Sequence, residues 1–441
     1  MKSKKNEILF FKSENEMVEY ALSQYTINQD NPFYFVDLSF IEIQYNRFKS
    51  LLPNVIPYYS VKANNDPEII KEMAHLGAGF DCASEGEIQQ VLSLVNVEPQ
   101  KIIFANPSKI EEHILLAKKR GIKRMTFDSV EELEKIKIYY PEAELILRIT
   151  VNDKKSIVQL STIFGAPEDT WETLVVTCKN LNLNLIGVTF HIGSLSSEPG
   201  IFYESIKNSK VIFDIASRYN INLTLLDLGG GFPSITEENE GLTFSIFADY
   251  INKGIKDFFS NTYNNIEIIA EPGRYICSGS IYFFLKIINR KIWKGVDYSS
   301  SNKEIMKEII QKYNYNKEKI PKKEIYYYYI NETTGLCLNG YLYEKNSERP
   351  HFFKINKELN EDNQKLYPSS IFVFSSLKND TIFSNIDLPL LDIGTPFYLK
   401  NQGAYSISCS GGVRVNGVTL TNRCYYFKYL NYFDKLKEKY L

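Results

Sequence analysis

From about residue 54 to 275, short apolar runs alternate with amphipathic stretches. The runs are VIPYYSVKAN, GAGFDCAS, KIIFAN, KRMTFDS, ELILRITV, LIGVTFHIG, LTLLDLGGG and IEIIAEPGRY. Each is nearly continuous in Val, Ile, Leu, Phe or Tyr and then breaks into polar residues. A parallel strand covered on both faces has this pattern, because neither face meets water. The stretches between read as helices. SKIEEHILLAKKRG starts at Ser108, an expected N-cap, and closes on Gly121 after basic residues, with Ile110, Ile114 and Ala117 on one face. SVEELEKIKIYYP offers Ser129 as a cap with Glu132 three residues on, a capping-box spacing. Eight such strand–helix units predict an α/β fold, a TIM-like (β/α)8 barrel. An open doubly wound sheet is the competing arrangement of the same pattern.

The pattern changes at about residue 280. Residues 281–441 hold apolar runs with turn signals and few long helical patterns, which predicts a C-terminal β-rich domain. A Lys- and Asn-rich insertion spans about 293–323. The barrel is expected over 41–280. Residues 1–40 precede it, and PFYFVDLS within them is expected to add a strand to the C-terminal sheet, so that this segment joins the β domain.

Composition narrows the classes. The formal net charge is −2 with 24% charged residues, so neither a basic field for nucleic acid nor an acidic, disordered chain is implied. Six cysteines are scattered without C-x-x-C or zinc-like spacing, which reads as reduced thiols in a cytoplasmic protein with no metal site. The N-terminus lacks an apolar core for a secretory signal, and no stretch suggests a membrane span.

In such barrels the carboxyl ends of the strands form the working face. Those ends carry Lys62, Asp81, Asp128, Arg148, His191, Gly229, Gly230, Gly231 and Glu271. Lys62 follows PYYSV, an apolar run that places it inside the rim. A desolvated lysine has a lowered pKa, and as a neutral amine it can attack an aldehyde cofactor. The DLGGG turn lets backbone N–H groups approach a phosphate. AEPGR adds Glu271, Pro272, Gly273 and Arg274. A carboxylate beside a pyridine nitrogen keeps it protonated, which makes the ring an electron sink. Arg274, Gly273 and Ser194 are expected to complete a phosphate cradle, and His191 to stack on the ring. Asp81 and Arg148 are expected to orient Lys62 and the histidine. Taken singly, each residue has a bland reading: a solvated lysine, a core histidine, an ordinary glycine turn.

Together, YYSVKAN, GAGFDCASEGEIQQV, FANPSK, TFDS, STIFGA, FHIGS, LLDLGGGFP, AEPGRY, LYE and GAYS closely resemble eukaryotic ornithine decarboxylase, a fold type III pyridoxal-phosphate enzyme. The resemblance covers roughly residues 30–435. It implies pyridoxal 5'-phosphate as cofactor, conversion of ornithine to putrescine in polyamine biosynthesis, and a homodimer with active sites shared between subunits. It assigns Lys62 to covalent attachment, Glu271 to the pyridine nitrogen and His191 to the ring face. Ser194, Gly231, Gly273, Arg274 and Tyr405 would bind the phosphate. Asp81, Glu87 and Arg148 would form a supporting network, and Tyr343 with Glu344 would reach the substrate's distal amine.

The chain departs from the family in the loop VFSSLKND. Ser376 stands where the family has the cysteine that returns the proton to the carbanion, and a hydroxyl is a far weaker acid than a thiol. Leu377 stands where an aspartate pairs with the substrate ammonium, and leucine cannot replace that charge. Ile163 replaces an interface lysine that pairs with the position of Asp380, and Gly335 replaces a tyrosine. Three readings follow: a decarboxylase for ornithine, an impaired paralogue with a regulatory binding role and an antizyme-like partner, or a decarboxylase for another amino acid.

Overall fold

The computed structural model describes residues 8–28, 32–236, 238, 242–259, 266–293, 325–332, 338, 350–354, 357–358, 365–373, 381–406, 408 and 424–430. The insertion expected around 293–323 lies almost wholly outside the described residues, as do Gly335, Tyr343, Glu344, Ser376, Leu377 and Asp380.

The eight apolar runs become eight parallel strands: β1 (Ile56–Ser60), β2 (Gly79–Cys82), β3 (Ile102–Phe104), β4 (Arg124–Phe127), β5 (Glu144–Ile149), β6 (Asn184–Phe190), β7 (Leu225–Asp227) and β8 (Glu267–Ala270). They close into a barrel in sequence order, with β8 returning to β1, so the doubly wound alternative is excluded. Tyr58, Ile103, Ala105, Ile146, Leu225 and Ile269 pack inside it. These residues are buried, and such a barrel is a filled core whose open surface is only its rim. Gly79 leaves room for the Tyr58 ring; a Cβ there would lie 2.5 Å from it. At the amino-terminal end, Arg124 at the start of β4 meets Glu267 at the start of β8 with two hydrogen bonds, of 2.6 and 3.0 Å. It also donates to the Tyr58 hydroxyl at 3.0 Å. That floor leaves the chemistry to the opposite rim.

Local signals set the helices between strands. Asp66 caps Pro67–His75 and accepts from the backbone N–H groups of Glu68 and Ile69. Ser129 caps Val130–Tyr139 through the Glu132 N–H. The Glu132 carboxylate does not return to the cap. It is buried and takes the Lys109 ammonium at 2.8 Å, tying the β3 and β4 connections together. The expected Ser108 cap is corrected: the helix is Glu111–Arg120, capped at Ile110. Ser108 instead donates its N–H to the Asn106 side chain. Ile114 and Ala117 are buried as expected, but Ile110, at the cap, is exposed. After β8 come the one-turn helix Arg274–Cys277 and the 3-10 turn Ser278–Ser280.

The barrel unit comprises Leu38–Ser280 and regains the chain for Gly403–Ser408. The second unit takes the chain up to Asp37, Ile281–Gln402 and the strand Cys424–Tyr429. In it, Phe33–Asp37 pairs antiparallel with Ile281–Trp293 and parallel with Cys424–Tyr429. Its core is aromatic, with Phe33 stacked on Phe284 at 5.2 Å. Among the described residues, no helix is long and apolar enough to cross a membrane.

Candidate active site

The rim of the barrel gathers residues from six strands. Lys62 sits in a short turn just past β1, and its Nζ lies 2.5 Å from Oδ2 of Asp81 on β2. Asp81 is fully buried, whereas the lysine side chain is 34% exposed. Ser60, the last residue of β1, donates its Oγ proton to the same Asp81 oxygen. The expected lowering of Lys62 is corrected. Burial pushes the amine down, but Asp81, through its charge and its hydrogen bond, opposes it and holds Lys62 above the ordinary lysine value. The amine is therefore held as an ammonium, and its proton must leave before it can attack.

His191 follows β6, and its Nδ1 accepts the Gly193 N–H at 3.1 Å. Burial, reinforced by the Arg148 and Lys62 charges, holds the imidazole well below the ordinary histidine value. The ring is neutral, with its proton on Nε2. Thus Gly193 orients the histidine directly. Arg148 acts on it through charge, its guanidinium lying 5.0 Å from the Phe164 ring centre.

The glycine turn after β7 lies against His191. A Cβ on Gly230 would stand 2.8 Å from His191 Nε2, and Gly231 has φ +104°, a backbone state open to glycine. Beside it, Arg274 donates from Nε to Ser194 Oγ at 2.9 Å. Its guanidinium lies 4.9 Å from the Tyr405 ring centre. Tyr405 donates its backbone N–H to the Ala63 carbonyl, next to Lys62. Ser60, His191, Ser194, Glu271, Arg274 and Tyr405 line one open cavity, with Gly230, Gly231 and Gly273 on its wall.

Glu271, just past β8, is 6% exposed. On the neighbouring strand, Asp227 closes β7 fully buried, and its carboxyl group interacts with that of Glu271. Sequence reading passed over Asp227, Thr189 and Ser60. The strand-end rule that selected Asp81 also applies to Asp227, which closes LTLLD. Glu87 lies further back, its carboxylate accepting the Ala83 N–H at 2.7 Å. Asp128 accepts the Gly165 N–H at 2.8 Å and so shapes the loop carrying Ile163, which is 73% exposed.

These groups fit a phosphorylated pyridine aldehyde: an amine for the aldehyde, a buried carboxyl for the ring nitrogen, a neutral flat imidazole, and glycines beside an arginine and a serine for the phosphate. The fold and site thus define the class of barrel proteins that hold pyridoxal 5'-phosphate. The family profile described as "Pyridoxal-dependent decarboxylase, pyridoxal binding domain" matches residues 38–278. Antizyme inhibitor 2 of Xenopus laevis is 34% identical over 396 residues, covering 90% of this chain and 81% of that protein. Ornithine decarboxylase of Rattus norvegicus is 32% identical over 397 residues, with the same coverage. Among solved structures, arginine decarboxylase of Paramecium bursaria Chlorella virus superposes with a TM-score of 0.80 at 31% identity, over 94% of this chain and 100% of that one. The chain belongs to the pyridoxal-dependent decarboxylase family, in its ornithine decarboxylase-like group, and its cofactor is pyridoxal 5'-phosphate.

Ser60 has a measurable role here. Ser60→Ala leaves Asp81 Oδ2 with Lys62 alone, which strengthens its hold on the ammonium. Attachment of the cofactor at neutral pH should slow by about tenfold, the equivalent of one pKa unit on the amine. The rate profile should move to higher pH, since the amine must be neutral to react. Stopped-flow absorbance across pH measures this; an unmoved profile would refute it.

Proposed function

We propose that this protein decarboxylates a basic amino acid at the barrel rim, with ornithine the first candidate and putrescine the product. The observation that carries the reading is one cavity lined by Glu271 and the Ser194–Arg274 pair, whose wall residue Ser60 bonds the Asp81 that holds Lys62. Lys62 would hold the cofactor covalently, after its proton passes from the amine. Glu271 would hold the proton of the ring nitrogen. His191, being neutral, would lie on the ring without competing for that charge. Ser194, Gly231, Gly273, Arg274 and Tyr405 would bind the phosphate, with Gly229, Gly230 and Pro272 shaping the backbone around it. Bound pyridoxal phosphate supplies an electron sink for the pair released when the substrate carboxylate leaves as CO2. Ser376 would return the proton, while Tyr343, Glu344 and Leu377 would face the distal end of the substrate. We place the protein in the cytoplasm as a homodimer with shared sites, under an antizyme-like regulator.

Release of labelled CO2 from ornithine, lysine and arginine tests the reading. Release from ornithine is expected. No release from any of them, with the cofactor covalently bound, would overturn it. Release from lysine or arginine alone would keep the chemistry and replace the substrate.

A second reading has its own support. Ser376 and Leu377 alter the two positions that the family uses for proton return and amine recognition, and a relative at 34% identity is named an antizyme inhibitor. Under that reading the chain binds a regulator without turnover. Co-purification with an antizyme-type protein, in the absence of CO2 release, is its signature.

A further inference from the structure

We propose that Asp227 is the positioning residue behind Glu271, and that the two carboxyl groups share one proton until the cofactor's ring nitrogen takes it. This rests on the cofactor site described above. Three observations support it. First, Asp227 and Glu271 close neighbouring parallel strands with both side chains buried, and two adjacent buried carboxyl groups cannot both ionise at low cost. Second, Glu271 Oε1 is buried and receives no N–H or O–H donor among the described residues. Third, Asp227 is fully buried and already has its donors: Gly229 N–H on Oδ1 and Thr189 Oγ on Oδ2, each at 2.9 Å. The better-solvated acid is therefore Asp227, so the shared proton resides on Glu271.

The parallel register builds this pair. Asp227 lies opposite Thr189 on β6 and opposite Ile269 on β8, two residues before Glu271. Glu271 in turn donates its N–H to the Gly229 carbonyl at 2.6 Å, so the glycine turn and the carboxyl pair are one unit. The charged and titratable groups facing it are Asp81 and Lys62 on the β1–β2 side and Arg148 on β5, which also meets Asp128, with His191 across Gly230. Burial pushes both Glu271 and Asp227 upward, and Asp81 adds to this, while Lys62 opposes it at Glu271.

The consequence is a proton delivered with its acceptor. When the ring binds, the proton leaves a Glu271 oxygen for the pyridine nitrogen, and Glu271 becomes a carboxylate beside the resulting cation. Asp227 remains an anion behind it and raises the basicity of Glu271, which keeps the ring nitrogen protonated.

Infrared spectra of the cofactor-free protein, and nitrogen NMR of ring-labelled pyridoxal phosphate bound to the whole chain, test this. Wild type should show a protonated-carboxyl band at neutral pH that disappears when the cofactor is added. Glu271→Gln should lack the band, and in Asp227→Asn the band should titrate at lower pH than in wild type. Asp227→Asn should also shift the ring nitrogen toward its unprotonated form and weaken cofactor binding about tenfold, one unit of lost basicity. Its cofactor-free Tm at neutral pH should rise, since the folded pair holds a proton that an unfolded carboxylate at that pH does not; a merely structural Asp227 predicts a fall. Thr189→Val keeps the charge but removes a donor, so the band should persist and titrate at higher pH; it decides the matter if Asp227→Asn does not fold. Absence of the band in wild type overturns the proposal. So does a wild-type band and nitrogen shift in Asp227→Asn, or an unmoved titration in Thr189→Val. Loss of ring protonation in Glu271→Gln alone leaves the cofactor site standing without Asp227's role, whereas failure of wild type to bind the cofactor defeats the site reading itself.

Discussion

Lys62→Arg should leave no covalently attached cofactor after borohydride reduction, and CO2 release should fall by roughly 10²–10⁴-fold. Arginine is the informative replacement because Asp81 is fully buried. Alanine would strand that carboxylate without its cation, and any loss could be blamed on folding. Arginine supplies a cation for Asp81 but has no neutral form near physiological pH, so it cannot attack an aldehyde. The wild-type result is equally specific. Reduction should mark the peptide containing Lys62, and labelling should rise with pH, because the raised amine loses its proton only on the alkaline side. A label on any other lysine would sink the assignment.

Glu271→Gln should leave cofactor attachment through Lys62 in place and cut CO2 release by roughly 10²–10³-fold, the usual scale for removing one preorganised charge from a reacting centre. Glutamine matches the size of glutamate and can still meet Asp227, so packing is kept. It cannot take the negative charge that holds a proton on the ring nitrogen, and the electron sink weakens. Rate constants at saturating cofactor and substrate, compared with the attached fraction, separate the two steps. If attachment fails in parallel with turnover, the side chain is holding the fold of the rim and not the ring charge.

The strands were legible because each run is short and apolar on both faces, the pattern of a parallel strand covered on both sides. The rim residues were legible from the same periodicity: each strand stops where its polar residue begins, and the carboxyl ends all point one way. The start of Glu111–Arg120 was misread. Asn106 takes the Ser108 N–H, which moves the helix start past the serine. That competition between local bonds has no signature in hydrophobic spacing.

The charge state of Lys62 lay beyond the sequence for a different reason. A lysine in an apolar run predicts desolvation alone, and desolvation lowers the amine. Asp81 stands 19 residues away along the chain, and only the pairing of β1 with β2 brings it to the amine and reverses the sign. Asp227 and Glu271 likewise meet only because β7 and β8 are parallel neighbours in one register. Hydrophobic spacing is a property of adjacent residues, so the chain by itself determined the covered parallel strands and the residues that end them, while the return of β8 to β1 that closes the barrel is a tertiary fact. Proton positions depend on distances between residues from different strands, and only the tertiary structure decided those.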